Sequence, residues 1–304
     1  MLPSTSAPAY RGRFAPSPTG PLHFGSLVAA LGSCLEARAR GGEWLLRIED
    51  VDEPRCPRAT ADDILRTLEA CGFAWDGDVL WQSRRKERYR ELLESLNGMG
   101  RVYPCACTRR ELADSQLAPD GAHVYPGTCR EGLPPGRPAR AWRLRVDDIS
   151  VGFDDFIQGR VEQRLARDVG DFVLLRADGY FAYQLAVVAD DADQGITHVV
   201  RGADLLDSTA RQIFLQHCLG VPTPAYAHLP VVVNAQGEKL SKQTLAPAID
   251  AVSPAPTLCA ALRFLGQSPP AELERAPVAE LWTWARAHWD MARVPRRRTL
   301  LYLP

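Results

Sequence analysis

Apolar and polar positions over the first fifty residues follow a strand, loop, helix, strand order. "AYRGRFA" (residues 9 to 15) reads as a short strand ending at Pro16. Residues 24 to 40, "FGSLVAALGSCLEARAR", put Leu27, Leu31, Cys34 and Leu35 on one face at helical spacing, and Gly41-Gly42 stops the helix. "EWLLRI" (43 to 48) is a second apolar strand, followed by the acidic turn "EDVDEP". This is a βαβ unit, and it predicts a parallel sheet. Two amphipathic helices follow, one from about residue 58 ("RATADDILRTLEACG") and one over 84 to 100 ("RRKERYRELLESLNGMG").

From 101 to about 165 the pattern breaks into cysteines, prolines, glycines and short alternating strands such as "ARAWRLRV", the mark of an insertion. Alternation resumes with "DFVLLRADGYFAYQLAVVADDAD", read as apolar strand, then "THVVRGADLL", then the helix "STARQIFLQHCLG" stopped by Gly220. "HLPVVV" reads as a last strand leading into "NAQGEKLSKQTLAP", and the tail from about 254 is helical and ends in "RVPRRR". The expected divisions are therefore 1–100, a first half of an α/β sheet domain; 101–165, the insertion; 166–235, its second half; and 236–304, a lysine loop and a helical C-terminal region.

Composition changes this picture little. The 304 residues are 46% hydrophobic and 24% charged with formal net charge -1, an ordinary soluble composition. The longest apolar stretch, around "YFAYQLAVVA", is far short of the roughly 20 residues of a spanning helix. "MLPSTSAPAY" has neither the basic start nor the apolar core of a signal peptide, so a cytoplasmic address is expected. Near-neutral charge leaves any case for nucleic acid to local patches. Of the eight cysteines, Cys34, Cys56, Cys71, Cys218 and Cys259 lie in apolar or helical surroundings and read as packing residues.

Three stretches carry chemistry. In "PSPTGPLHFGS" a rigid loop runs into a helix start, where free N–H groups and the helix dipole favour anions. Gly20 and Gly25 leave room for a phosphate or an adenine against the backbone, and His23 and Ser26 can donate hydrogen bonds. Neither a P-loop nor a G-x-G-x-x-G pattern is present. In "GEKLSKQ" (237 to 243), Lys239 and Lys242 can both reach a triphosphate and offset the charge that builds up during displacement. In "CACTRRELADSQLAPDGAHVYPGTC" (105 to 129), Cys105, Cys107 and Cys129 suit a tetrahedral structural Zn²⁺, and coordination chemistry alone favours His123 as fourth ligand.

"HFGS" and "KLSKQ" resemble the HIGH and KMSKS signatures of class I aminoacyl-tRNA synthetases, and "RFAPSPTGPLHFGS", "RIEDVD", "YQLAVVADD" and "VRGADLL" resemble the glutamyl branch. The resemblance runs from about residue 11 to 247, with the motifs in the expected order. About 60 residues follow "KLSKQ", so no anticodon-binding domain is expected. In this the chain resembles the truncated glutamyl paralogues that attach glutamate to queuosine in the anticodon loop of tRNA(Asp).

The resemblance implies a Rossmann-like catalytic domain with a zinc-containing insertion. It implies ATP, with Mg²⁺, and L-glutamate as substrates, queuosine-bearing tRNA(Asp) as acceptor, and a monomer away from membranes. Arg13, Phe14, Ala15, Pro16 and Ser17 would line the glutamate pocket, with Arg13 as a fork for a carboxylate. Glu49 would take the α-ammonium, and Tyr183 and Arg201 would complete the pocket, Arg201 as the second cation. His23, Gly25 and Lys242 would meet ATP, with Ser26 and Lys239 assisting. For zinc, the family pattern places Tyr125 in the fourth position. Ser26 stands where HIGH has its second histidine, and Gln243 where KMSKS ends in serine.

Blander readings exist for single residues. Tyr183 fits a core aromatic at the end of a strand, and Arg201 a salt bridge to Asp204. For the whole chain the alternatives are a short glutamyl-tRNA synthetase charging a 3′ end and a catalytically idle tRNA-binding paralogue. The basic run Arg296, Arg297 and Arg298 could hold stem phosphates.

Overall fold

The computed structural model describes residues 9–113, 115–117, 121, 123–240 and 249–302. The expected βαβ unit is present. β1 (Arg11–Phe14) and β2 (Glu43–Ile48) pair in parallel, Arg11 opposite Glu43, with α1 (Phe24–Ala39) as the crossover. After α2 (Arg58–Ala70), β3 (Leu80–Trp81) extends the sheet beside β2. On the other side of β1 lies β9 (His198–Gly202), where the Thr197 N–H donates to the Arg11 carbonyl at 3.0 Å. β10 (Ala225–Leu229) pairs in parallel with β9 and meets β6 (Ser150–Asp155) at Tyr226 and Asp155. β7 (Gly159–Arg164) closes that edge as an antiparallel hairpin with β6 and leads into the single turn α4 (Leu165–Asp168). Every strand but β7 runs the same way, so the carboxyl ends converge on one edge, where such sheets bind ligands.

A second, antiparallel sheet joins β4 (Val102–Cys105), β5 (Ala141–Leu144) and β8 (Phe172–Leu175). The division expected at 165 therefore differs from the strand exchange observed. β6 and β7, placed in the insertion by sequence, join the parallel sheet, and β8, placed in the second half of the sheet domain, pairs with β5. "DFVLLRADGYFAYQLAVVADDAD" also splits, into β8 and the helix α5 (Tyr183–Asp193). Leu185 through Asp191 are all buried, and a helix buried on every side shows no amphipathic period. "HLPVVV" is likewise two strands. Pro230 has no N–H to give a ladder, and the chain breaks there into β10 and β11 (Val231–Val233), the latter pairing with β12 (Thr299–Leu301).

α3 (Lys86–Gly98), α5 and α6 (Thr209–Leu219) pack one core with β8, while α1 packs another with α7 (Ala255–Phe264) and α8 (Val278–His288). The C-terminal helices thus share the core of the parallel-sheet domain. Among the described residues no helix is long and apolar enough to cross a membrane. The basic tail is partly engaged, since Arg298 forms an ion pair with Asp207 at 3.2 Å.

α8 docks on the end of α2 through Trp282, whose indole N–H donates to the Cys71 carbonyl at 2.8 Å. Gly72 makes this approach feasible, with φ of 79° and a hypothetical Cβ only 2.7 Å from the Trp282 ring nitrogen. Gly72→Ala combines backbone strain with a clash and is expected to cost roughly 2–4 kcal/mol. Urea unfolding followed by tryptophan fluorescence checks this, and a loss below about 0.5 kcal/mol would contradict the docking geometry.

Candidate active site

A cavity of about 600 Å³ opens at the carboxyl ends of β1, β2, β9 and β10. It is lined by Arg13, Phe14, Ala15, Pro16 and Ser17 from the end of β1, by His23, Gly25 and Ser26 from the start of α1, and by Glu49, Tyr183, Arg201 and Lys239. Residues that the sequence placed in an amino-acid pocket and a nucleotide pocket therefore share one cavity. Lys242 and Gln243 lie outside the described residues.

His23 caps α1, and its Nδ1 accepts from the Ser26 backbone N–H at 3.4 Å. With Nδ1 accepting, a neutral ring carries its proton on Nε2, which is 3.1 Å from Ser26 Oγ. At Gly25 a Cβ would come within 3.2 Å of the His23 ring and 3.6 Å of the Leu240 carbonyl, so a side chain would crowd the turn. Lys239 ion-pairs with Asp204 at 2.6 Å. The partner of Asp204 is thus Lys239 rather than Arg201, contrary to the bland reading of Arg201.

Behind the cavity sits a buried network of charges. Arg13 donates from Nε to Asp191 Oδ1 at 3.1 Å and from Nη2 to Oδ2 at 3.4 Å, so two of its nitrogens are committed inside the protein. Arg47, with no exposure at all, donates to Asp191 at 2.7 Å and to the Gln194 side chain at 2.7 Å. Its Nη2 also lies 3.5 Å from Glu49 Oε1, yet that oxygen has no hydrogen-bond partner among the described residues. Burial pushes the Glu49 carboxyl up to about 7, against the opposing pull of Arg47 and Arg13.

Tyr183 is the first residue of α5, at a helix start rather than a strand end, and burial and the nearby Glu49 push its hydroxyl up to about 12. Arg201 is 5% exposed and keeps one buried nitrogen, Nη1, without a hydrogen-bond partner among the described residues. An unsatisfied carboxylate oxygen and an unsatisfied guanidinium nitrogen thus belong to one cavity's lining, and a zwitterion with an extra acid could satisfy both.

The thiols of Cys105, Cys107 and Cys129 lie within 4.8 Å of one another and could hold a metal ion. Tyr125 belongs to this cluster. Its hydroxyl is 3.4 Å from the sulfurs of both Cys105 and Cys107 and accepts the Cys129 N–H at 2.8 Å. His123 is exposed, with Nδ1 3.4 Å from the Ser115 carbonyl. Burial raises the Cys105 thiol, but hydrogen bonds from Tyr125 and Arg143 outweigh it and hold the thiol below its ordinary value. Arg143 also stacks over the Tyr125 ring at 3.9 Å.

Sequence reasoning missed Arg47, Asp191 and Arg143. The signal was a charged residue inside an apolar run: arginine in "EWLLRI" and "AWRL", aspartate in "AVVADD".

Residues 9–274 match the family model for the catalytic domain of class I tRNA synthetases (E and Q). The chain is similar to the glutamyl-Q tRNA(Asp) synthetase of Aromatoleum aromaticum, 64% identical over 96% of this chain and 92% of the relative. It is similar to that of Dechloromonas aromatica at 63%, over 97% of this chain and 98% of the relative. Among solved structures, the glutamate-tRNA synthetase of Elizabethkingia anophelis superposes with a TM-score of 0.79 at 25% identity, over 97% of this chain and 68% of that one.

A carboxyl raised to about 7 binds a proton in the folded protein that the unfolded chain has already released between its ordinary value near 4.5 and 7. The folded state then holds more protons, so this group's contribution to stability falls as pH rises through that window. Glu49→Gln abolishes the titration. The variant is expected to gain roughly 1–3 kcal/mol on the wild type between pH ~5 and ~8, measured by urea unfolding at each pH. A pH-independent difference would mean that Glu49 ionises normally.

Proposed function

The chain belongs to the class I tRNA synthetase (E and Q) catalytic-domain family, and we propose that it activates L-glutamate with ATP and transfers the glutamyl group to queuosine in the anticodon loop of tRNA(Asp). The observation that carries this is the pairing, in one cavity, of an unsatisfied Glu49 oxygen and an unsatisfied Arg201 nitrogen beside a helix N-terminus. Glutamate has two negative groups and one positive. Glu49 takes the α-ammonium, Arg201 the side-chain carboxylate, and Arg13, Ser17 and Tyr183 close the pocket around them. A neutral amide in place of that carboxylate leaves a buried cation unpaired, which selects against glutamine.

The α-carboxylate attacks the α-phosphorus of ATP, pyrophosphate leaves, and glutamyl-adenylate forms. Gly25 lets the nucleotide approach the backbone, and His23 and the α1 N-terminus face the charge that develops on the phosphates. Lys239 exchanges Asp204 for a phosphate, and Lys242 adds a second cation. Ser26, a neutral donor, contributes less than a histidine would. Mg²⁺ accompanies ATP. A hydroxyl of the queuosine cyclopentene diol then attacks the adenylate carbonyl, the acyl–phosphate bond breaks, and AMP departs with its phosphate taking up the hydroxyl proton. Relatives at 63–64% identity bearing the glutamyl-Q tRNA(Asp) synthetase name support this acceptor over a tRNA 3′ end. The reaction belongs to the cytoplasm, where its tRNA is found.

The Cys105, Cys107, Tyr125 and Cys129 cluster fits zinc. A tetrahedral site with Zn–S of about 2.3 Å places sulfurs about 3.8 Å apart, and Cys107 and Cys129 are 3.7 Å apart. A phenolate oxygen at about 2.0 Å from zinc falls about 3.5 Å from each sulfur, against 3.4 Å observed. The ion's part is structural, a crosslink within a loop-rich insertion. One zinc per chain is expected by elemental analysis, retained in His123→Ala and released more readily by chelator in Tyr125→Phe. Release from His123→Ala instead would reassign the fourth ligand.

The acceptor is tested with tRNA(Asp) carrying queuosine against the same tRNA carrying guanosine at that position. Glutamate label is expected only on the queuosine form, in the anticodon fragment after nuclease digestion. Efficient labelling of the guanosine form at its 3′ end would identify a short glutamyl-tRNA synthetase.

A further inference from the structure

Arg201 is fixed by groups that have no place in the reaction above. Its Nε donates to His228 Nε2 at 3.0 Å, and its Nη2 to Thr209 Oγ1 at 2.9 Å. The first bond requires a bare lone pair on His228 Nε2, because the guanidinium only donates. The ring proton must then sit on Nδ1, which lies 2.5 Å from Asp155 Oδ2. Asp155 is itself held, its Oδ1 accepting the backbone N–H groups of Ile157, Gln158 and His228 at 2.9 to 3.1 Å. His228 and Thr209 are wholly buried and Asp155 nearly so. With Nε and Nη2 committed, Nη1 is the nitrogen left over.

We propose that Asp155 and His228 are positioning residues for amino-acid recognition: Asp155 locks the imidazole with its proton on Nδ1, and the bare Nε2 sets the Arg201 fork so that Nη1 serves the substrate's side-chain carboxylate. This rests on the reading of Arg201 as a glutamate-binding residue. It extends to a cation site the rule known for metal-bound histidines, where an outer carboxylate fixes the tautomer. The ring also has to stay neutral, since an imidazolium would place a second buried cation against the guanidinium. Burial holds His228 down at about 4, with Arg201 acting in the same direction and Asp155 opposing.

Asp155→Asn makes the sharpest test. The three backbone N–H groups keep the amide oxygen on their side, which turns the amide NH₂ toward His228 Nδ1. That nitrogen must then accept, the proton moves to Nε2, and donor meets donor at Arg201. His228→Asn keeps a group near Nδ1 but loses the acceptor at Nε2, whereas His228→Gln restores an oxygen near Nε2. In ATP–pyrophosphate exchange, Asp155→Asn and His228→Asn are expected to raise the KM for glutamate by about 10-fold or more. The KM for ATP should stay within about two-fold, and His228→Gln should recover most of the loss.

In the wild-type chain, ¹⁵N-histidine NMR, with the His228 signal assigned by its loss in His228→Gln, should show the Nδ1–H neutral tautomer. This readout does not depend on the variants' activity. An Nε2–H tautomer, an equal rise in both KM values, or no benefit from glutamine over asparagine would overturn the proposal. Arg201→Gln separates the two readings. If it raises the glutamate KM while Asp155→Asn and His228→Asn do not, the positioning role alone falls. If it leaves the glutamate KM unchanged, the glutamate-site reading falls, and the positioning role with it.

Discussion

A guanidinium with no access to water holds the binding edge of this fold together. Arg47 sits on the middle strand of β1, β2 and β3, and its charge is balanced chiefly from α5, by Asp191 at 2.7 Å and Asp190 at 4.0 Å, with Glu49 at 3.5 Å and the neutral Gln194 as a further acceptor. Removing one partner of such a buried pair typically costs about 3–5 kcal/mol, because the other ion is stranded. That penalty ties α5 to the sheet in one register. Asp191 also grips Arg13 on β1, so β1, β2 and α5 are locked by one carboxylate. Asp190, the preceding residue, ties α5 to a second set of partners, accepting from Gln82, Tyr89 and Arg85.

Charges balance in that network, but its hydrogen bonds are shared unequally. Arg13 and Arg47 face Asp190, Asp191 and Glu49, and Arg85 answers Asp190 from the partly exposed side. The two aspartates take the good hydrogen bonds, which leaves Glu49 Oε1 with none among the described residues. A buried carboxylate in that position invites either a proton or a cation, and under the proposed function a ligand ammonium supplies the cation. Arg201 is the converse case, a guanidinium committed on two nitrogens and unsatisfied on the third among the described residues. The folded protein keeps both deficits at some expense to stability, as functional sites often do.

Much of this was legible in the sequence, and the limits have physical causes. The turn from Arg13 to Ser26 was readable because prolines, glycines and a capping residue act locally, and β2 matches its reading at 43 to 48. α5 was misread because full burial erases the helical period. The partners of Arg13 and Arg201 were invisible because they lie 178 and 27 residues away, and only the folded chain decides whether a guanidinium meets a ligand or an aspartate. Tyr125 shows the reverse. Coordination chemistry read along the chain favours histidine, but the structure turns His123 outward and sets the phenol among the thiols.

The insertion and the binding cavity are physically continuous. β8 is an edge strand of the sheet whose other edge, β4, ends at Cys105, and the chain runs from β8 through a tight return into α5. The return is closed by the Ala182 N–H donating to the Leu174 carbonyl at 2.8 Å, directly before Tyr183. Arg143, between them on β5, bonds the Cys105 sulfur at one end and the Asp171 carbonyl at the other, one residue ahead of β8. Two strands and one arginine thus connect the thiol cluster to the start of α5. The helix that carries Tyr183 and Asp191 is consequently anchored at both ends, by the insertion at its first residue and by Arg47 near its last turn.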